Sequence, residues 1–344
     1  MARRRENGVT IRAVAERAGV SAMTVSNVIN GAGRASATTV ATVQAAIAEL
    51  GYVPNLAARR LAKARATTVG PIYTNRRTPF LDAVLVGSLR ATNANGLQLI
   101  LRDGDGVTLD EAERIAQELV RSGADALLLI PPFAEQLSGS AILPALGVPF
   151  AAIATGTPLS GISTVRIDNQ AAMEALTRRV IADGHRRIAY VAGPDHYSVV
   201  AARLDGFYAA LQDAGLRVDD SLIVEHSAFD HASGMAAAQA LLARPDRPTA
   251  ILCSSDDLAA GVIAQAGQMG LTLPHDLSVT GFDDTILASR VWPPLTVIRQ
   301  PVEDMAFRAT QCLIGALGKG GMRVSDEIFD HQLVQRASIA PAST

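Results

Sequence analysis

The sequence predicts a parallel α/β core preceded by a small all-α unit. From Thr67 onward, short apolar runs alternate with longer helical stretches, which is the pattern of parallel strands connected by helices. Residues 9–51 instead hold three short segments with helical spacing. Charge divides near the same place, because residues 1–65 contain ten Lys and Arg against three Asp and Glu, whereas the remainder contains 21 against 30. A basic head therefore precedes an acidic body.

The length and composition fit a protein of two or three domains. The 344 residues are 49% hydrophobic and 19% charged, so the chain can bury substantial cores. No apolar run reaches the ~20 residues that span a bilayer, and "MARRRENG" leads into a helix pattern instead of a signal peptide. We therefore expect a cytoplasmic protein with no membrane partner. Cys253 and Cys312 lack CxxC spacing and are expected to be buried thiols rather than a redox or zinc site.

The all-α unit has the spacing of a helix-turn-helix motif. An apolar stripe that begins at Ile11 predicts the first helix, which Gly19 ends. Ser21 caps a second helix, and a third runs from Ser36 to Gly51. In such a motif the second helix lies in the major groove and presents its N-terminal residues to base edges. The residues predicted on the outer face of that helix are Ala22, Met23, Ser26 and Asn27.

Two stretches of this region, "TIRAVAERAGVSAMTVSNVING" and "ELGYVPNLAARRLA", resemble the headpiece of the LacI/GalR family of bacterial transcriptional regulators. The resemblance extends over nearly the whole chain and implies that Ala22, Met23 and Asn27 read bases. Asn can bond adenine bidentately, and Ala and Met offer apolar contact to a thymine methyl. Many family members carry Arg at the position of Asn27 and Asp at that of Ala13. The residues expected at the DNA are Thr10, Ser21, Ala22, Met23, Thr24, Ser26, Asn27, Asn30, Tyr52, Asn55, Ala58 and Leu61.

The segment after Pro54 resembles the hinge helix of that family. The resemblance implies that it orders when two copies of the chain pair over a near-palindromic operator, as a homodimer or a dimer of dimers. Leu61 would then enter the minor groove as an apolar wedge, and the neighbouring Arg and Lys side chains would neutralise phosphates. So short a helix is marginal alone in water. The alternative is a plain charged linker.

The core is expected to contain about ten strands, eight of which have the sequences "TTVGPIY", "LQLIL", "ALLLI", "FAAIA", "RIAYVAG", "LIVEHS", "AILCSS" and "LSVTGFD". So many strands exceed one ordinary sheet, and a crossing near Val165 to Asp168 would make two lobes. The resemblance implies two Rossmann-like, periplasmic-binding-protein-like lobes, with further crossovers near Leu295–Gln300 and Arg323–Ile328. Its domain boundaries are a headpiece at 1–53, a hinge at 54–66 and a core at 67–344, with lobes at about 67–167 plus 298–325 and about 168–297 plus 326–344.

The loops after the carboxyl ends of the strands are expected to line an effector cleft. The block "GHRRIAYVAGPDHYSVVAARLDGF" matches the family at Arg203, and "SVTGFDDT" matches at Asp283. A guanidinium and a carboxylate suit a ligand with vicinal hydroxyls, such as a sugar. The alternative is a buried Arg203–Asp283 pair that holds the lobes, and both roles can coexist. The residues expected at the effector are Phe80, Tyr197, Val199, Arg203, Phe229, Ser255, Asp283 and Gln300.

Two positions near the cleft are expected to have other roles. Ala154 stands where the family often has Asp, and Asp168 is expected to cap the following helix rather than touch the ligand. The acidic pairs Asp256–Asp257 and Asp283–Asp284 are interpreted as capping and ligand groups rather than a cation site.

Enzymatic function is not expected. The chain has no G-x-S-x-G elbow, no G-x-G-x-x-G after the first strand, no P-loop and no H-E-x-x-H. We therefore expect no catalytic residues, no metal and no cofactor. The sequence favours an effector-responsive regulator that represses transcription. The alternative is a sugar-binding or sugar-modifying protein of the same core fold, which would have no use for residues 1–65.

Overall fold

The structure is a computed structural model that describes residues 10–29, 36–50, 67–74, 78–104, 108–317 and 324–342. The chain divides between residues 66 and 67 into two compact units, and the described part of each has its own hydrophobic core. None of the helices in these ranges combines the length and the hydropathy that a bilayer crossing requires. The predicted boundary between residues 53 and 54 lies outside the described residues.

The first unit contains three helices, α1 (Ile11–Ala18), α2 (Ala22–Ile29) and α3 (Ala37–Leu50). They enclose a small core in which Val14, Val25 and Val43 are fully buried. An ion pair of 2.6 Å between Arg17 and Glu49 joins α1 to α3 at the surface. Three short helices around one small core were predicted, and the structure confirms them.

Gly19 and Ser21 have the capping roles predicted from sequence, and Thr10 caps the first helix although only a DNA contact was predicted for it. The Thr10 hydroxyl accepts a hydrogen bond from the Ala13 amide at the start of α1. Gly19 ends α1 with a φ of 65°, a left-handed conformation in which glycine avoids the strain of a Cβ. The Ser21 hydroxyl then accepts from the Thr24 amide at 3.0 Å and caps α2. These two caps fix the tight turn between α1 and α2.

The second unit contains two sheets. The first sheet has the order β12-β6-β5-β4-β1-β2, with β3 also paired to β1, and all its described pairs are parallel. Its strands are β1 (Thr68–Thr74), β2 (Gln98–Leu99), β3 (Arg102–Gly104), β4 (Ala126–Leu129), β5 (Phe150–Ile153), β6 (Ser163–Ile167) and β12 (Asp326–Phe329). Each residue of β4 is buried, as expected of an inner strand covered by helices on both faces.

The second sheet has the order β13-β11-β10-β9-β7-β8, and only the β11–β13 pair among its described pairs is antiparallel. Its strands are β7 (Ile188–Ala192), β8 (Ile223–Glu225), β9 (Ala250–Cys253), β10 (Ser278–Asp283), β11 (Thr296–Arg299) and β13 (Gln332–Val334). The eight strands located from the sequence are confirmed, although "LQLIL" keeps only two residues as strand. Five strands were not located from the sequence: β3, β6, β11, β12 and β13.

Helices connect the strands and cover the sheets. They are α4 (Pro79–Ala94), α5 (Leu109–Arg121), α6 (Phe133–Leu137), α7 (Ile142–Ala145), α8 (Asn169–Ala182), α9 (Ser198–Asp213), α10 (His231–Leu242), α11 (Asp256–Gln268), α12 (Ile286–Arg290) and α13 (Val302–Leu317), with a short 3-10 helix at Asp220–Leu222. Helix α5 shows why such segments pack as they do, because its buried residues Ala112, Ile115, Ala116 and Leu119 recur at three- and four-residue spacing.

The chain crosses between the two lobes three times, and two predicted lobe boundaries are wrong: residues 298–299 belong to the second lobe rather than the first, and residues 326–329 belong to the first rather than the second. The first crossover is at Asp168, as predicted, and the Asp168 side chain caps α8 by accepting from the Ala171 amide at 3.0 Å. The second is at residues 300–301, because all of β11 pairs with β10 in the second sheet. The third was predicted within 323–328, but β12 pairs with β6, so the first lobe continues to Phe329 and the chain crosses at residues 330–331. Strand β12 was not predicted because it is an edge strand with a polar sequence.

Candidate functional sites

Helix α2 of the first unit exposes part of the surface predicted to read bases. Met23 is 70% exposed, and Asn27 is half-buried. Thr24 is fixed by the cap, since its amide donates to the Ser21 hydroxyl and the two hydroxyls lie 2.9 Å apart. An exposed apolar side chain at the start of a short, capped helix suits contact with a thymine methyl.

Ala22 lies differently from the prediction. It was expected on the outer face of α2, but it is half-buried and packs against the core of the first unit. The reason is helical spacing, because Ala22 lies three residues before Val25, which is fully buried. The side chain of Ser26 and residues Asn30, Tyr52, Asn55, Ala58 and Leu61 lie outside the described residues.

A cavity in the second unit brings together all eight residues predicted at the effector. It lies at the carboxyl ends of strands from both sheets, where Asp283 ends β10 and Gln300 follows β11. Phe80 contributes from α4 in the first lobe. Ala154 and Asp257, which the sequence placed near the cleft but not among the effector residues, also line it, and sequence reasoning missed the lining residues Tyr73, Thr78, Leu81, Ile130, Pro131 and Ser254. The carboxyl-end rule applied to β1 and β4 would have found Tyr73, Ile130 and Pro131.

Arg203 is held rigidly at the back of the cavity. It is 4% exposed, and its Nε donates to Asn169 Oδ1 at 2.9 Å while its Nη1 donates to the Ser254 carbonyl. Its guanidinium carbon also lies 3.7 Å from the centre of the Phe282 ring. Burial lowers the pKa of Arg203, although Asp283 opposes that shift. The Nη2 atom, 3.6 Å from Asp283 Oδ1, is the part of the fork that faces the carboxylate.

Asp283 carries the carboxylate of the cavity. Its Oδ1 accepts a hydrogen bond of 2.5 Å from Gln300 Nε2, and Oδ2 has no hydrogen-bond partner among the described residues. Burial raises the pKa of Asp283 to about 6, although Arg203 and Gln300 both act to lower it. Its φ of 107° is a backbone conformation that non-glycine residues rarely adopt, and Ala154 across the cavity has a φ of 54°. Such strained residues concentrate at functional sites.

Arg203 and Asp283 do not hold the lobes together. Arg203 lies on α9 and Asp283 ends β10, and both elements belong to the second lobe. The alternative of an interlobe ion pair is therefore wrong for these two residues. The charged pair is a fixed feature of one wall of the cavity.

The aromatic walls come from both lobes. The rings of Tyr197 and Phe229 meet edge to face with centroids 5.2 Å apart, and Phe80 lines the cavity from the first lobe. Val199 lines it beside Tyr197. Ser255 is more constrained than expected, because its hydroxyl accepts from the Leu258 amide and caps α11.

The acidic pairs near the cavity have protein partners. Both the amide and the hydroxyl of Thr285 donate to Asp256 Oδ2, and Asp284 forms ion pairs of 2.6 Å with Arg299 and Arg336. Within the described ranges, no group of three or more His, Cys, Asp or Glu side chains is arranged to hold a metal ion.

Comparison with known proteins assigns the chain to a family. Residues 10–55 match the model of bacterial regulatory proteins of the lacI family, and residues 177–339 match that of a periplasmic binding protein-like domain. The transcriptional regulator CelR of Thermobifida fusca is 35% identical over 318 residues, which cover 89% of this chain and 91% of CelR. The chain belongs to the LacI family of bacterial regulatory proteins. The ribose operon repressor of Escherichia coli K12 is likewise 35% identical over 308 residues, covering 89% of this chain and 92% of that repressor.

Solved structures of LacI-family proteins agree with the fold. A complex of CelR with cellobiose is similar with a TM-score of 0.71 and 31% identity, covering 96% of this chain and 99% of that one. The lac repressor dimer bound to operator and the anti-inducer ONPF is similar with a TM-score of 0.73 and 25% identity, covering 97% and 100%. These relatives are transcriptional regulators and not enzymes. As a LacI-family member with a helix-turn-helix unit, this chain is a DNA-binding transcriptional regulator.

Proposed function

We propose that this regulator is a repressor whose affinity for its operator is controlled by an uncharged sugar or polyol bound in the cavity. The observation that carries the proposal is the convergence of Arg203, Asp283 and Gln300 with four aromatic rings in one cavity lined by both lobes. The carboxylate can accept hydrogen bonds from hydroxyls, and Arg203 can donate to them. Aromatic faces suit the apolar C–H side of a sugar ring.

The charges of the cavity favour an uncharged ligand. Its lining includes two carboxylates, Asp257 and Asp283, and one guanidinium, Arg203. The guanidinium already pairs with Asp283 and stacks on the Phe282 ring. Burial raises the pKa of Asp257 as well as that of Asp283. A phosphorylated or carboxylated ligand would add a further negative charge to these desolvated carboxylates without an unpaired cation to receive it. We therefore propose that anionic sugars are poor effectors.

The DNA side of the proposal rests on the first unit. We propose that Met23 and Asn27 contact base edges in the major groove, that Thr10, Ser21 and Thr24 contact the backbone, and that Ser26 and Asn30 also contact the DNA. We further propose a homodimer on a near-palindromic operator in the bacterial cytoplasm, with Leu61 as the minor-groove wedge. Ala22 contributes less contact area than an exposed residue would, because it packs against the core.

The test begins with the full-length protein and fragments of its source genome. DNA fragments that it retains define an operator, and fluorescence anisotropy then measures its affinity with and without a panel of sugars at one salt concentration. Cellobiose and ribose are the first probes, because a cellobiose complex and a ribose operon repressor are among the relatives. Each is tested beside its phosphorylated or carboxylated counterpart.

We expect at least one uncharged sugar to change operator affinity and its anionic counterpart to have no effect at the same concentration. An effect of the anionic form alone would contradict the assignment of the cavity charges. If the protein retained no sequence preference on DNA in the absence or presence of every sugar, the regulatory role itself would be wrong.

A further inference from the structure

Three residues next to those that line the cavity form a hydrogen-bonded contact between the two lobes. Glu135 lies on α6 and Gly156 follows β5, both in the first lobe, whereas Ser198 begins α9 in the second lobe. The Gly156 amide donates to the Ser198 hydroxyl at 2.7 Å, and that hydroxyl donates to Glu135 Oε1 at 2.6 Å. The Ser198 amide also donates to Oε1, at 3.3 Å. A continuous chain of hydrogen bonds therefore runs from one lobe to the other and back.

Gly156 is required for this approach. A Cβ atom at residue 156 would lie 2.2 Å from the Ser198 carbonyl oxygen and 2.6 Å from the Val199 amide nitrogen. These atoms are backbone and cannot rotate away as a flexible side chain could. The two lobes are thus as close here as backbone contact permits.

Glu135 is an unusual partner for a contact of this kind. Its Oε2 atom is buried and has no hydrogen-bond partner among the described residues. Burial raises the pKa of Glu135, while the hydrogen bonds from Ser198 act to lower it. A buried carboxylate that is only half satisfied costs free energy, and removal of its one partner costs more. The interlobe contact is therefore sensitive to small displacements.

The contact also adjoins the effector cavity. Tyr197 and Val199 line the cavity on either side of Ser198, and Ala154, two residues before Gly156, lines it from the first lobe. A movement of Ser198 relative to Glu135 must therefore move two cavity walls. A change in the cavity can therefore change the hydrogen-bonded contact between the lobes.

We propose that Glu135, Ser198 and Gly156 form a latch that holds the lobes together in the effector-free protein and positions the Tyr197–Val199 wall. The link from this latch to regulation rests on the proposed function of the cavity, whereas the latch itself does not. Glu135 and Ser198 are positioning residues, since neither lines the cavity. A ligand that contacts Tyr197 or Val199 changes the stability of the latch. It therefore changes the relative orientation of the lobes.

The test uses the full-length protein without sugar or DNA. The variants are Ser198→Ala, Glu135→Ala and the double variant, together with Gly156→Ala, which forces the backbones apart and leaves the side chains of Glu135 and Ser198 intact. We measure amide hydrogen exchange at Gly156 and Ser198–Val200, and the radius of gyration by small-angle X-ray scattering. We expect exchange at these amides to rise at least tenfold, the radius of gyration to increase, and the double variant to match the single ones.

Ser140→Ala is the matched control. The Ser140 hydroxyl donates to Glu113 Oε1 at 2.6 Å, the same chemistry at the same distance, but both residues belong to the first lobe. We expect this variant to leave exchange at Gly156 and the radius of gyration unchanged. Exchange in the interior strands β4 and β9 should stay slow in every variant.

Three results would overturn the latch. The first is unchanged exchange at Gly156 and Ser198–Val200 in all four latch variants. The second is equal acceleration in Ser140→Ala. The third is faster exchange without any change in the radius of gyration, which would make the contact a local one. Because no sugar is present, a failure of the latch leaves the sugar hypothesis untouched, and a failed sugar screen leaves the latch untouched.

Discussion

Asp283 combines features that a purely structural carboxylate would avoid. It has a strained φ of 107°, it is desolvated, and one of its oxygens has no hydrogen-bond partner among the described residues. Gln300 and Arg203 engage the other oxygen and so fix the orientation of the group. A fixed carboxylate in the cavity lining can accept hydrogen bonds from a ligand.

We predict that Asp283→Asn removes most of the stabilisation by sugar while the protein stays folded and able to bind its operator. The amide keeps the shape of the side chain but cannot accept at both oxygens and carries no charge. Thermal unfolding with and without the sugar selected above measures the effect, and ~100-fold excess over Kd stabilises wild type by about 2.7 kcal/mol. Asp257→Asn, which removes the other carboxylate that lines the same cavity, tests whether the effect is specific to Asp283. An undiminished response in Asp283→Asn would show that Asp283 does not bind the effector.

Sugar affinity should depend on pH through the same carboxylate. The pKa of Asp283 is about 6 in the folded protein, against about 3.9 for an unperturbed Asp. The folded state therefore retains a proton that the unfolded state loses between those values, so the contribution of Asp283 to stability falls as pH rises from about 4 to about 6 and is constant above. Ligand hydroxyls need the ionised form as acceptor. We expect affinity to fall about tenfold per pH unit below about pH 6.

Isothermal titration of the selected sugar between pH 5 and pH 8 tests this expectation. Asp283→Asn should flatten the profile as well as lower the affinity. A wild-type profile without any dependence between pH 5 and pH 7 would contradict the role of the ionised carboxylate.

The cap and the buried residue of helix α2 determine which of its side chains can face DNA. Its cap fixes Ser21 and Thr24, and its buried residue Val25 fixes the rotation of the helix about its axis. Met23 and Asn27, four residues apart, consequently share one side. We predict that Asn27→Ala weakens operator binding by about 1 to 3 kcal/mol, because a bidentate base contact is lost.

The binding of Asn27→Ala is measured by anisotropy on operator and on random DNA across a salt series. The affinity should fall for operator DNA only. The salt dependence of the affinity for random DNA should match that of wild type, because no phosphate contact is removed. Equal loss on both DNAs would reassign Asn27 to a backbone contact.

Much of the element order could be predicted from sequence, and the failures have physical causes. Runs such as "ALLLI" are apolar throughout because the strand is buried on both faces, and their short length favours the strand β4 over a helix. Strand β12 has exposed and half-buried residues only, and its place depends on pairing with residues of β6 that lie 162 positions earlier in the sequence. The cavity residues were found because they follow strand ends. The Glu135–Ser198 contact was not found, because no sequence spacing links α6 to α9.

Strand β12 is fastened to the first lobe by a side-chain cluster that can be tested. Arg166 donates from Nε and Nη2 to the two carboxylate oxygens of Asp326, at 2.9 and 2.8 Å, and the Thr164 hydroxyl also donates to Asp326. We predict that Asp326→Asn lowers the free energy of unfolding by about 1 to 3 kcal/mol, since a partly buried guanidinium loses its charged partner.

Urea unfolding compares Asp326→Asn with Asp213→Asn. Asp213 also pairs with an arginine, Arg178, but both side chains of that pair are more than half exposed, so its loss should change stability little. Equal losses in the two variants would mean that the β6–β12 pairing does not depend on this cluster.

At the scale of the whole molecule, regulation requires that the cavity ligand distinguish two arrangements of the lobes. The chain crosses between lobes at Asp168, at residues 300–301 and at residues 330–331, and Gln300 lies both at a crossover and in the cavity. A ligand held by Phe80 from the first lobe and Asp283 from the second contacts both lobes at once. Its affinity must therefore depend on the angle between them, and only that difference can shift operator affinity.

The coupling between sugar and operator must be reciprocal. We predict that saturating operator DNA changes sugar affinity by the same factor by which saturating sugar changes operator affinity, a factor of about 5 to 150 for typical coupling free energies. Titration calorimetry gives the first factor and anisotropy gives the second, both at one salt concentration and with full-length protein. Random DNA of equal length controls for electrostatic effects of the basic head. If sugar binds with the same affinity in the presence and absence of operator, the cavity ligand is not the signal that controls DNA binding, because a ligand that does not sense the operator cannot release it.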